Sequence, residues 1–159
     1  NLVLLSASGA PVKEESSPPM ALRAMKNPFG RFLISRIWSR SMAKKSLEDM
    51  VFDGSSITDE EIDRMWDFSI YPGNMDAMFR EFGETWDFFD PADIEEITSN
   101  TLLIWGKEDS ICPPSMGNWY DSNLPNSTMV VLPNIGHNPH FECPDRCSDE
   151  ISSWLCART

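Results

Sequence analysis

The stretch TLLIWGKEDSICPP, Thr101 to Pro114, sets the fold class. Leu102 to Trp105 form a continuous apolar run closed by Gly106, without the alternation of a strand that shows one face to water. A strand of that kind is buried on both faces, as in a parallel sheet covered by helices. LVLLSAS (2–8) and TMVVLP (128–133) have the same character. Between the second and third runs, PPSMGNWYDSNLPNS (113–127) has the length of one helix. After the third, Cys147, Ile151, Trp154 and Leu155 recur at helical spacing. Pro144 suits the first turn of that helix, where its missing N–H costs nothing, and Asp145 complements the positive end of the helix dipole. The expected class is therefore α/β, with three parallel strands and flanking helices.

The middle of the chain reads differently. In PFGRFLISRIWSRSMAKK, Phe29, Leu33 and Ile37 recur at helical spacing with Ile34 and Trp38 beside them. TDEEIDRMWDFSI opens with the capping-box pair Thr58 and Glu61, and NMDAMFREFG runs to a stop at Gly83. Three or four helices are expected here, inserted between strands. Their Met and aromatic residues serve helix packing, an adaptable substrate lining, or both.

Charge excludes some partners. Across 159 residues the formal net charge is −12, and residues 48–96 hold most of the acid. Nucleic acid is not expected as a partner, and the acidic middle reads as a solvated helical face. No run approaches the roughly 20 apolar residues of a membrane span. Four cysteines, at 112, 143, 147 and 156, do not form the framework of a small secreted domain. They read as thiols in a reducing compartment, which favours a cytoplasmic setting, although targeting cannot be read from a chain that opens on Asn1 in a strand-like run.

Chemistry gathers in two loops. Asp109 lies just past the second strand and His137 just past the third. If these strands are parallel neighbours, both loops open on the same carboxyl edge of the sheet, and the two side chains can meet. A carboxylate on one ring nitrogen of a histidine fixes its tautomer and leaves the other nitrogen to take a proton. A competing reading exists, because His137, His140, Cys143 and Cys147 are all zinc-ligating types. A structural zinc site, however, needs four converging ligands, normally as two separated pairs, and this cluster would commit His137 twice. No metal and no cofactor are expected.

With these residues in view, the sequence resembles the C-terminal part of an α/β-hydrolase-fold protein. The portions that carry the resemblance are TLLIWGKEDSICPP and LPNSTMVVLPNIGHNPHFECPD, and the stretch ITDEEIDRMWDFSIYPGNMDAM is similar to cap helices of the esterase, dehalogenase and C–C hydrolase branch. The resemblance implies that Asp109 is the acid and His137 the base of a catalytic triad. It also implies three regions: 1–15, a core strand following the nucleophile region; 16–97, a helical cap; and 98–159, the core carrying the acid and histidine loops. His140 is expected to line or brace the pocket, Glu142 and Pro144 to start the last helix, and Cys112 to be a packed thiol.

One departure is sharp: no Gly-x-Ser-x-Gly occurs in the sequence. The expectation is that the nucleophile, Ser or Asp, and the oxyanion-hole amides belong to a preceding half of the same fold, and that this chain alone is inactive. The implied activity is hydrolysis of an ester, or a related carbon–halogen, epoxide or carbon–carbon bond, in a small apolar substrate. The alternative is a non-catalytic receptor or interaction module that keeps the fold without the chemistry.

Overall fold

The structure is a computed structural model and describes residues 1–11, 27–83 and 88–157. In chain order the elements are β1 (Leu2–Leu5), α1 (Pro28–Ile37), α2 (Arg40–Glu48), α3 (Asp59–Ile70), α4 (Asn74–Gly83), α5 (Pro91–Glu95), β2 (Thr101–Gly106), α6 (Pro114–Asn123), β3 (Ser127–Leu132), α7 (Pro139–Glu142) and α8 (Pro144–Cys156). They form two compact units, one of Asn1–Ser17 with Asp87–Thr159 and one of Pro18–Trp86.

The first unit is built on a three-stranded sheet of order β1-β2-β3, parallel throughout. All six residues of the central strand are buried, as its unbroken apolar run requires. Alternate side chains enter different cores. Leu103 and Trp105 pack with Met116, Tyr120 and Leu124 from α6 and its end, together with Ile94 of α5. Leu102 and Ile104 pack with Leu132, Ile135, Cys147 and Trp154, the last two from α8. Each fully buried Leu or Ile contributes on the order of 2 kcal/mol by leaving water, so this one strand anchors both layers. Gly117 lets α6 approach closely: a Cβ there would stand 2.5 Å from the Met129 side chain and 2.9 Å from the Trp105 ring.

Strand β1 ends sooner than its apolar run predicts. Ser6 still donates its amide to the Ile104 carbonyl, but its φ of 45° turns the chain out of the extended path. The final helix starts with Pro144 in its first turn, as expected. Of the four residues predicted to share its inner stripe, Cys147 and Trp154 are buried, whereas Leu155 is exposed.

The second unit is helical. Helices α1 and α2 are separate, because Trp38 leaves the helical path and Ser39 caps α2 by accepting from the Met42 amide. Helix α3 carries the predicted capping box: Thr58 Oγ1 accepts from the Glu61 amide while the Glu61 carboxylate accepts from the Thr58 amide. Arg40 ties α2 to α3 through Asp59, at 2.8 Å, and Asp63. The small core of the unit is Ile34 and Phe79 with Trp38, Met75 and Met78. Phe29, Leu33 and Ile37, the more regular stripe in the sequence, are exposed. Two apolar stripes run side by side on this helix, and spacing alone does not say which one a neighbour covers. Among the described residues no helix is long and apolar enough to cross a membrane.

Candidate active site

Gly106 and Leu132 are register partners at the carboxyl ends of β2 and β3, so the loops that follow begin side by side. Backbone bonds continue past the strands: Lys107 donates to the Leu132 carbonyl at 2.9 Å and Glu108 to the Ile135 carbonyl at 3.1 Å. Asn134 adopts a φ of 60°, a left-handed conformation that Asn tolerates better than most residues, and this reverses the chain toward β2.

The acid loop is pre-shaped around its carboxylate. Asp109 Oδ1 accepts from the amides of Ile111 and Cys112, both at 2.9 Å. The indole of Trp105 donates to the Cys112 carbonyl at 2.7 Å, fixing the turn to the strand. The second oxygen, Oδ2, lies 3.0 Å from His137 Nδ1. The Asp109 side chain is fully buried and that of His137 is 22% exposed. A buried carboxylate is tolerated when donors satisfy its oxygens, and here two amides and one imidazole do so. An ionised carboxylate can only accept, so this contact calls for the proton on Nδ1, the tautomer in which a neutral ring has its lone pair on Nε2.

The histidine loop is held by two further carboxylates. Glu108 accepts from the Ile135 amide at 3.2 Å. Glu142 accepts from the Gly136 amide at 2.9 and 3.0 Å and from the Asn138 amide at 3.1 Å, the residues on either side of His137. Sequence reading gave Glu142 only a helix start. Its side chain instead reaches back over the loop, and its place five residues after His137 was the sole hint.

The other residues of the cluster separate. His140 is exposed on α7. Cys143 donates its thiol to the Pro139 carbonyl, and Cys147 faces the core. Burial pushes the Cys147 thiol up to about 11, with Cys143 adding to the shift. Cys112 is buried beside Asp109; burial, and then the charge of Asp109, push its thiol up to about 12, so it stays protonated and is no nucleophile at neutral pH.

A parallel three-stranded sheet whose central strand is wholly buried, with the loops of Asp109 and His137 on one carboxyl edge, is an α/β arrangement of the hydrolase type; the outer strands β1 and β3 are only partly buried, and Val131 is exposed. The sequence profile of the alpha/beta hydrolase fold matches residues 3–144, and the chain belongs to that family. It is 30% identical over 158 residues to the uncharacterized hydrolase YugF of Bacillus subtilis (strain 168), covering 97% of this chain and 55% of that protein. It is 31% identical over 63 residues to a pimeloyl-[acyl-carrier protein] methyl ester esterase of Nitrosomonas europaea, 38% of this chain and 25% of the esterase. Among solved structures it superposes on a meta-cleavage product hydrolase from Pseudomonas fluorescens IP01 with a TM-score of 0.76 at 21% identity, covering 99% of this chain and 56% of the other. The chain thus spans about half the length of these hydrolases where the match is longest.

Proposed function

We propose that the protein carrying this chain hydrolyses an ester of a small, largely apolar substrate through a nucleophile, His137 and Asp109. The observation that supports it most directly is the 3.0 Å contact between His137 Nδ1 and a buried Asp109 oxygen whose partner oxygen is already satisfied by two amides. In this reading His137 Nε2 takes the proton of a serine hydroxyl as it attacks the ester carbonyl. Asp109 stabilises the imidazolium that results, and the proton is then returned to the leaving alcohol. If the nucleophile is Asp, the same lone pair activates water against the covalent ester. The roles of Asp109 and His137 are the same in both versions.

The ester reading is supported by the methyl ester esterase similarity, which covers 38% of the chain. The nucleophile and the oxyanion-hole donors are assigned to residues outside these 159, and the helical unit is assigned the part of a substrate-binding cap. The chain on its own is accordingly expected to be inactive. The test is turnover of a short-chain aryl ester by the full-length protein. His137→Ala should remove turnover by orders of magnitude while leaving the protein folded, and unchanged turnover would eliminate His137 as the base. A full-length protein that turns over no ester but binds small apolar molecules would favour a receptor instead.

A further inference from the structure

We propose that Glu142 is a positioning residue for His137, a role that rests on the hydrolase reading and extends it beyond the acid and the base. Gly136 and Asn138 donate their amides to one carboxylate, so the backbone on both sides of the imidazole is tied to a single group. Two amides, one on each side of His137, converge on one anion, and Glu142 supplies that anion from within the chain. The carboxylate is itself anchored: the Glu142 amide donates to the Asn138 carbonyl at 2.9 Å, and Pro144 opens α8 two residues later. On its other side, the Gly136 carbonyl is seated against Gly106. The residue before His137 is therefore bonded through its amide to Glu142, while its carbonyl lies close against β2 with no room for a side chain between them.

The consequence concerns orientation. His137 bonds to Asp109 through one side-chain contact, and the reach of its imidazole depends on where a fixed backbone places Cα and Cβ. Charge-assisted bonds to both neighbouring amides supply that fixation and are stronger than bonds to a neutral acceptor. Displacing a base by about 1 Å can cost as much as 100-fold in rate. A glutamate that merely began a helix would affect stability alone.

The experiment uses full-length protein labelled with 15N-histidine, with the low-field Nδ1–H proton of His137 assigned by its loss in His137→Ala. In Glu142→Ala that resonance should broaden or move upfield at temperatures where circular dichroism still shows the folded state. Turnover should fall roughly 10- to 100-fold with KM little changed, and Glu142→Gln, which keeps one acceptor oxygen, should recover part of the loss. If Glu142→Ala does not fold, Glu142→Asp keeps the charge but shortens its reach and should perturb the same resonance. An unmoved resonance in whichever of these variants folds would overturn the proposal. The resonance needs no turnover, so failure of the hydrolase reading would appear separately, as activity indifferent to His137→Ala.

Discussion

The carbonyl of Gly136 rests on the α-carbon of Gly106: a Cβ built on Gly106 would stand 1.9 Å from the Gly136 oxygen and 2.4 Å from the Ile135 oxygen. Both obstacles are backbone, so neither can rotate away. Gly106→Ala would ordinarily stabilise a protein slightly by restricting the unfolded chain. Here it should destabilise by about 1–3 kcal/mol, the range for forcing extra atoms into a packed site. The histidine loop would also be lifted from β2, and Asp109 would lose part of its contact with His137. Urea midpoints of wild type and variant check the sign, and an unchanged or raised midpoint would show that the loop yields.

Asp109→Asn should separate charge from shape. The amide oxygen can still accept from Ile111 and Cys112, so folding should be little affected. The amide nitrogen would then face His137 Nδ1 as a donor and require the tautomer whose Nε2 carries the proton. In the full-length protein, turnover should fall by about three to four orders of magnitude, the loss seen when a triad histidine is held in the wrong tautomer. Steady-state kinetics beside a thermal melt would test this, and a large drop in melting temperature would mean the substitution acted through folding.

Much of this arrangement is legible before folding. Strands β2 and β3 could be read because an unbroken apolar run closed by Gly or Pro has few other uses, and the meeting of Asp109 with His137 follows once those strands are parallel neighbours. The early end of β1 was hidden, since Ser6 belongs to the apolar run by position and leaves it only through its backbone angle. Glu142 was hidden for a different reason. Its function lies in the two backbone amides that flank His137, and amides carry no sequence signature. The exposed stripe of Phe29, Leu33 and Ile37 shows the same limit from the other side, because periodicity marks an apolar face without naming its partner.

Helix α3 offers a local test. Thr58 and Glu61 satisfy each other's amides, and the bonds from the Thr58 amide first and its hydroxyl second hold the Glu61 carboxyl below its ordinary range. Thr58→Ala removes the acceptor for the Glu61 amide and should cost about 1 kcal/mol, the usual worth of such a cap. Amide hydrogen exchange is the fitting measurement. The first turn of α3 should lose protection while β2 keeps it, and uniform loss across both would mean the two units unfold as one.

Alkaline pH should weaken the fold through Cys112. Its thiol is pushed from an ordinary 9.0 up to about 12, by burial first and by the charge of Asp109 second. Below pH 9.0 the thiol is protonated in folded and unfolded chains alike, so its contribution to stability is constant. As pH rises further, the unfolded chain gives up the proton while the folded one retains it. Ionisation then favours unfolding, and the contribution is lost progressively as pH approaches about 12. Tyr120, raised from 10.0 to about 12 chiefly by burial, adds to the same decline from pH 10.0 upward. Other groups titrate in this range, so the informative quantity is a difference. Between about pH 8 and about pH 10.5, wild type should lose more stability than Cys112→Ala, because the variant lacks the thiol at 112 while the raised thiol of Cys147 is common to both. Equal losses in the two proteins, measured by urea midpoints at matched ionic strength, would mean that the thiol does not hold its proton in the fold.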